Sequence, residues 1–101
     1  MKYEFADGPG GPVLVLRDQL TFADREAFEG VIDRIVRAGG RRAAIDLKQL
    51  DYMDSAGLGM LLTLRDGAER AGIEICLTRA KGEVKELLKL ACFDSLFIIE
   101  E

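Results

Sequence analysis

The stretch DYMDSAGLGMLL, residues 51–62, sets Asp51, Asp54 and a lone serine, Ser55, just ahead of Gly57, Gly59 and a run of large apolar side chains. A serine in such company can serve as a nucleophile, cap a helix or accept a phosphate. A nucleophile on a strand-to-helix elbow wants a glycine two residues before and two after it; Gly57 fits, but Met53 stands in the earlier place. The chain has no histidine, so the usual base for the hydroxyl proton is missing, as is the commonest transition-metal ligand. A phosphate-cradling loop is no better supported, because GLG lacks the following lysine and the GPGG stretch reads as a hairpin turn. Asp46, Asp51 and Asp54 could in principle hold a hard cation, but carboxylates crowding a loop more often face solvent or cap helices. No metal site is assigned.

Two roles remain for the serine. As an N-cap, Ser55 or Asp54 would accept a backbone N–H from the first helical turn, worth about 1 kcal/mol. As a phosphoacceptor, Ser55 would gain roughly 1.5 to 2 negative charges where unpaired N–H groups and the helix dipole tolerate them. Such a phosphate about 6 Å from one carboxylate of a docked partner costs roughly 1.4 kcal/mol even in bulk water, a tenfold loss of affinity. Gly57 and Gly59 each cost about 1 kcal/mol of helix stability relative to alanine. Close approach of a partner and tight packing on the chain's own sheet both explain them. Leu61, Leu64 and Ala68 already form an inner helical face, which leaves Leu58 or Met60 to point outward as an interface anchor.

The elements that must position these residues are legible in the hydrophobic pattern. KYEFAD alternates, with Tyr3 and Phe5 on one face and Lys2 and Glu4 on the other, and GPGGP then turns the chain into the apolar strand VLVLR, residues 13–17. Phe28, Val31, Ile32 and Ile35 fall on one helical stripe, with Thr21 and Asp24 as a capping box and Gly39-Gly40 as the stop. AAIDL, residues 43–47, reads as a buried strand, residues 51–54 as a loop and Ser55 to about Ala71 as a helix ended by Gly72. IEICLT (73–78) is a strand, Val84, Leu87, Leu88 and Ala91 mark a third helix, and LFII (96–99) closes the pattern. The expected fold is α/β, a mostly parallel sheet with an antiparallel N-terminal edge strand and amphipathic helices, one domain over residues 1–101.

Composition agrees with a globular domain: 49% of residues are apolar and 32% charged. The net charge of −4 argues against a phosphate-backbone partner, so no nucleic acid is expected. No apolar run approaches the roughly 20 residues that span a bilayer, so no membrane association and a cytoplasmic location are expected. Cys76 and Cys92 sit inside apolar patterns and read as small buried hydrophobes.

DYMDSAGLGMLL, preceded by a strand ending in IDL and set in this order of elements, resembles the signature of the STAS domain family. Within that family it is most similar to the bacterial anti-sigma factor antagonists, over nearly the whole chain from LVLRDQL to LFIIEE. The resemblance implies a non-enzymatic partner switch without cofactor. The unmodified protein would bind an anti-sigma factor that is also a serine kinase, phosphorylation of Ser55 would release it, and a serine phosphatase would reset the switch. It implies a docking surface of Asp54, Ser55, Ala56, Gly57, Leu58, Gly59 and Met60, joined by the loop at Thr21, and a free protein that is a monomer or weak dimer. Where many members carry Gly-x-Leu-Asp before the first helix, this chain has DQLT, with Asp18 for the glycine and Thr21 for the aspartate. That departure leaves room for an interaction module with a non-sigma output.

Overall fold

The structure, a computed structural model, describes residues 1–101. Strand β1 (Lys2–Gly8) forms a hairpin with β2 (Gly11–Leu20), and a short 3-10 turn leads into α1 (Arg25–Arg37). Then follow β3 (Arg42–Met53), α2 (Ser55–Arg70), β4 (Glu74–Thr78), α3 (Gly82–Leu90), a second 3-10 turn (Phe93–Ser95) and β5 (Ile98–Glu100). The five strands lie in the order β1-β2-β3-β4-β5. β1 is antiparallel to β2 and every other neighbouring pair is parallel.

Strand order equal to chain order has a consequence for layering. Parallel crossovers are right-handed, and when each adds its strand on the same side of the last, every connecting helix falls on one face of the sheet. Phe28, Val31 and Ile35 of α1, Leu61, Leu64 and Ala68 of α2, and Val84 and Leu88 of α3 share one core with Leu14, Leu16, Ile45 and Leu77 of the strands. The opposite face has no helix over it. There Val13, Val15 and Ala44 are half-buried, flanked by the cross-strand pairs Arg17–Glu4 and Arg42–Glu74.

The helix ends are where the glycines predict them. Gly39 and Gly72 adopt φ of 74° and 76°, the left-handed turn that stops α1 and α2. The third helix stops without a glycine: Cys92 takes φ 57° there and is exposed, which corrects its reading as a buried hydrophobe. Cys76 is buried as expected; burial and the Glu100 carboxylate beside it push its thiol up to about 12.

Two further expectations are corrected. Residues 51–53 are the end of β3, not a loop, and Asp54 alone separates strand from helix. The second half of β3 pairs with β2 through two irregularities: Val15 faces Asp46 but Arg17 faces Gln49, and Asp18 faces Leu50 but Gln19 faces Tyr52. Each inserts an extra β3 residue, so the buried positions run Leu47, Leu50, Met53 and the period of two disappears. At the other end, Leu96 and Phe97 precede the last strand, because Phe97 stacks on Phe93 at 5.1 Å and holds the 3-10 turn against the core.

Candidate functional site

The site forms at the carboxyl end of β3. Leu20 and Met53 are paired at the ends of β2 and β3, so the chain leaving β2 runs beside the start of α2. Asp54 fastens the two together. Its backbone N–H donates to the Leu20 carbonyl at 3.3 Å, its Oδ1 accepts from the Gly57 N–H at 2.8 Å, and its Oδ2 accepts from the Phe22 N–H at 3.2 Å. One carboxylate therefore caps α2 and pins the neighbouring loop. A charged acceptor suits both bonds, since unpaired N–H groups at a helix start are partial positive charges.

Asp54, and not Ser55, is the N-cap of α2. Ser55 occupies the first helical position with its side chain exposed. The hydroxyl is thus free of structural duty at the spot where an added anion is best tolerated.

The two glycines separate cleanly. Gly57 is buried: a Cβ there would lie 2.4 Å from the Met53 Cγ and 2.6 Å from the Leu20 carbonyl oxygen. Its reason is internal packing. Gly59 is exposed and nothing lies within 4 Å of where its Cβ would be, so the fold itself makes no demand for glycine there. Ala56, Leu58 and Met60 are half-buried, the last two packed on the margin of the core. In the first half of the helix, Ser55, Gly59 and Thr63 are the exposed residues, about one turn apart.

Thr21 sits close by, half-buried at the start of the first 3-10 turn. Its N–H donates to Asp24 Oδ2 at 2.9 Å, the backbone half of the capping box expected from the sequence. Sequence reasoning missed the residue after it. Phe22 is 59% exposed, and the Arg25 guanidinium lies over its ring at 4.4 Å. The available signal was its position: Phe22 falls off the Phe28, Val31, Ile35 stripe and so has no place in the core.

The three aspartates are not brought together around a common point. Asp46 is buried on the open sheet face, where its carboxylate accepts from the Arg79 guanidinium and from the Lys48 N–H at 3.0 Å. Burial works against its ionisation, but Arg79 and Lys48 outweigh it and hold the carboxyl below the usual range. Asp51 is exposed, 4.0 Å from the Lys81 ammonium. No three His, Cys, Asp or Glu side chains are placed to hold a metal ion. The largest groove, 510 Å³, lies at the far end of α2 between Arg65, Ile73, Leu96 and Phe97. No helix is long and apolar enough to cross a membrane.

Known proteins match this chain in sequence and in fold. The model of the STAS domain matches residues 3–101. The chain belongs to the STAS domain family. A STAS-domain containing protein of Pseudomonas aeruginosa is 33% identical over 83% of this chain and 82% of its own length. BtrV of Bordetella bronchiseptica, named as an anti-sigma factor antagonist, is 31% identical over 84% of this chain and 73% of its own. Among solved structures, a protein of Thermotoga maritima also named as an anti-sigma factor antagonist superposes with a TM-score of 0.82 at 19% identity, covering 98% of this STAS chain and 86% of that one. The fold is therefore that of the anti-sigma factor antagonists.

Proposed function

We propose that this STAS protein is an anti-sigma factor antagonist worked by phosphorylation of Ser55. In this reading the unmodified chain, a single domain acting in the cytoplasm, docks through the start of α2 onto an anti-sigma factor that is also a serine kinase. The kinase modifies Ser55 and is released, and a serine phosphatase restores the first state. The protein acts by binding and catalyses nothing itself.

The observation that carries the proposal is the division of labour between neighbours. Asp54 makes the bonds that fold the junction, and Ser55 presents a hydroxyl that makes none of them. A phosphate there meets the positive end of a sixteen-residue helix, so the fold persists while the docking surface gains a dianion. Gly59 lets a partner's backbone approach the helix, and the flanking Leu58 and Met60 supply partly exposed apolar surface.

Capture from cell extract with wild-type, Ser55→Ala and Ser55→Asp proteins tests this. Wild type and Ser55→Ala are expected to hold the same kinase-type protein, and Ser55→Asp to lose it. Equal capture by all three overturns the switch. Thr21, where the family resemblance leads one to expect an aspartate, leaves room for a variant of the reading in which the output is something other than a sigma factor; the identity of the captured partner decides between them.

A further inference from the structure

We propose that Phe22, with Arg25 stacked on it, is a second anchor of the docking surface, and that it fits a partner surface offering an apolar recess beside a carboxylate. The inference rests on the docking role of the α2 start and names what else the partner must recognise.

Phe22 is the most exposed aromatic side chain in the molecule. An aromatic ring left in water on a short turn contributes little to the fold, whereas at interfaces rings of this kind, with arginine, carry a large share of binding energy. Its place is fixed rather than loose. The Phe22 N–H is bonded to the Asp54 carboxylate, and the next backbone unit along the same loop, Thr21, is bonded to Asp24. The ring is therefore held in register with Ser55, the residue next to Asp54, and the two belong to one continuous surface.

The charge points to the partner's chemistry. The ring covers one side of the Arg25 guanidinium and leaves its N–H edges to solvent. Neither carboxylate of the junction forms an ion pair with it: Asp24 accepts from the N-terminal ammonium of Met1 and from the Thr21 N–H, and Asp54 from the Phe22 and Gly57 N–H groups. An arginine stacked and unpaired in this way is prepared for a bidentate carboxylate from outside. A partner with a basic patch at this point would be repelled.

Photo-crosslinking in the cells of origin tests the proposal even before the partner is identified. Benzoylphenylalanine is placed at Phe22, at Thr63, which is exposed one turn beyond Gly59 and so flanks the close approach without filling it, and, as a control, at Leu90 of α3, which is 80% exposed. The expected result is an adduct of the same mass at positions 22 and 63, absent at 90, and abolished at both when Ser55→Asp is added. An adduct at 63 without one at 22 overturns the second anchor and leaves the switch standing. An adduct at 22 that Ser55→Asp does not weaken, or an equal one at 90, also overturns it. No adduct at 22 or 63 overturns the docking role of α2 and this inference with it. With the crosslinked partner purified, Arg25→Glu is expected to weaken binding at least tenfold and Arg25→Lys less, both with unchanged melting temperature; wild-type affinity for Arg25→Glu removes the acidic recess.

Discussion

Two strand-to-helix junctions lie at the same end of this sheet, and they are built in opposite ways. Between β3 and α2 the chain uses one residue, Asp54, whose carboxylate caps the helix and pins the next loop. Between β4 and α3 it uses three residues, Arg79–Lys81. There Arg79 turns through a left-handed φ of 57°, and its side chain is tied back to the buried Asp46. Lys81 stands at the helix start with no side-chain cap. At the second junction the side chains serve the turn itself. At the first, one carboxylate does all the structural work and the side chain of the adjacent serine takes no part in it.

Substitutions that break this contrast are ranked by expected effect. Gly57→Leu should be the most damaging, about 3 kcal/mol, because its Cβ alone would collide with the Met53 side chain and the Leu20 carbonyl. Chemical denaturation measures this, and a loss under about 1 kcal/mol would show that the helix shifts easily on the sheet. Asp54→Ala should follow at about 1–2 kcal/mol for the lost cap. Hydrogen exchange should then quicken at the Phe22 and Gly57 amides together, since one carboxylate holds both; independent behaviour of the two amides would contradict the shared clasp.

At the second junction Asp46→Asn should cost about 1 kcal/mol at pH 7, a fall in melting temperature of about 4–8 °C for a domain of this size. The folded-state pKa of Asp46 lies below its unfolded value of about 3.9, so its stabilisation is complete above that value and is lost as pH falls through the lower, folded one. The wild-type and Asn melting curves should accordingly draw together below about pH 4. A gap that persists to lower pH would assign the effect to packing.

The smallest effects should be gains. Lys81→Ser supplies the missing cap of α3, where φ −143° and ψ 165° already suit one, for about 0.5–1 kcal/mol. Gly59→Ala should add a similar amount by helix propensity, opposite in sign to any change at Gly57, two residues away. A destabilised Gly59→Ala would mean that the fold, and not a docking partner, requires that glycine.

Most elements of the fold were readable from periodicity because most strands and helices bury one regular face. The α1 stripe, the α2 inner face and the glycine stops all stand where the pattern put them. The second half of β3 was not readable, and the reason is physical: its two extra residues against β2 move the buried side chains from every second to every third position. Asp51 and Tyr52, exposed at that end, then look like a loop. The end of α3 was hidden for a different reason, since Cys92 takes the left-handed conformation that usually announces itself as glycine. At the site, Ser55, Asp54 and the glycines were visible in sequence, but which oxygen caps and which glycine packs depended on Met53 and Leu20, and the sequence distance to Leu20 conceals that contact. Phe22 was missed because exposure is a property of the assembled surface.

The agreement of strand order with chain order also bears on how the molecule assembles. The β1–β2 hairpin is the one local pairing, and every later strand docks on the strand made just before it, a single helix upstream. No strand has to wait for a partner from the distant end of the chain, so the loop-closure cost is spread over small, equal steps. On the ribosome such a sheet can grow at one advancing edge as the chain emerges. Until the next strand arrives, that edge is an open row of hydrogen-bonding groups able to pair with other chains. β5 shortens that exposure: its only neighbour is β4, and it leaves an open edge of three residues where β4 alone would leave five.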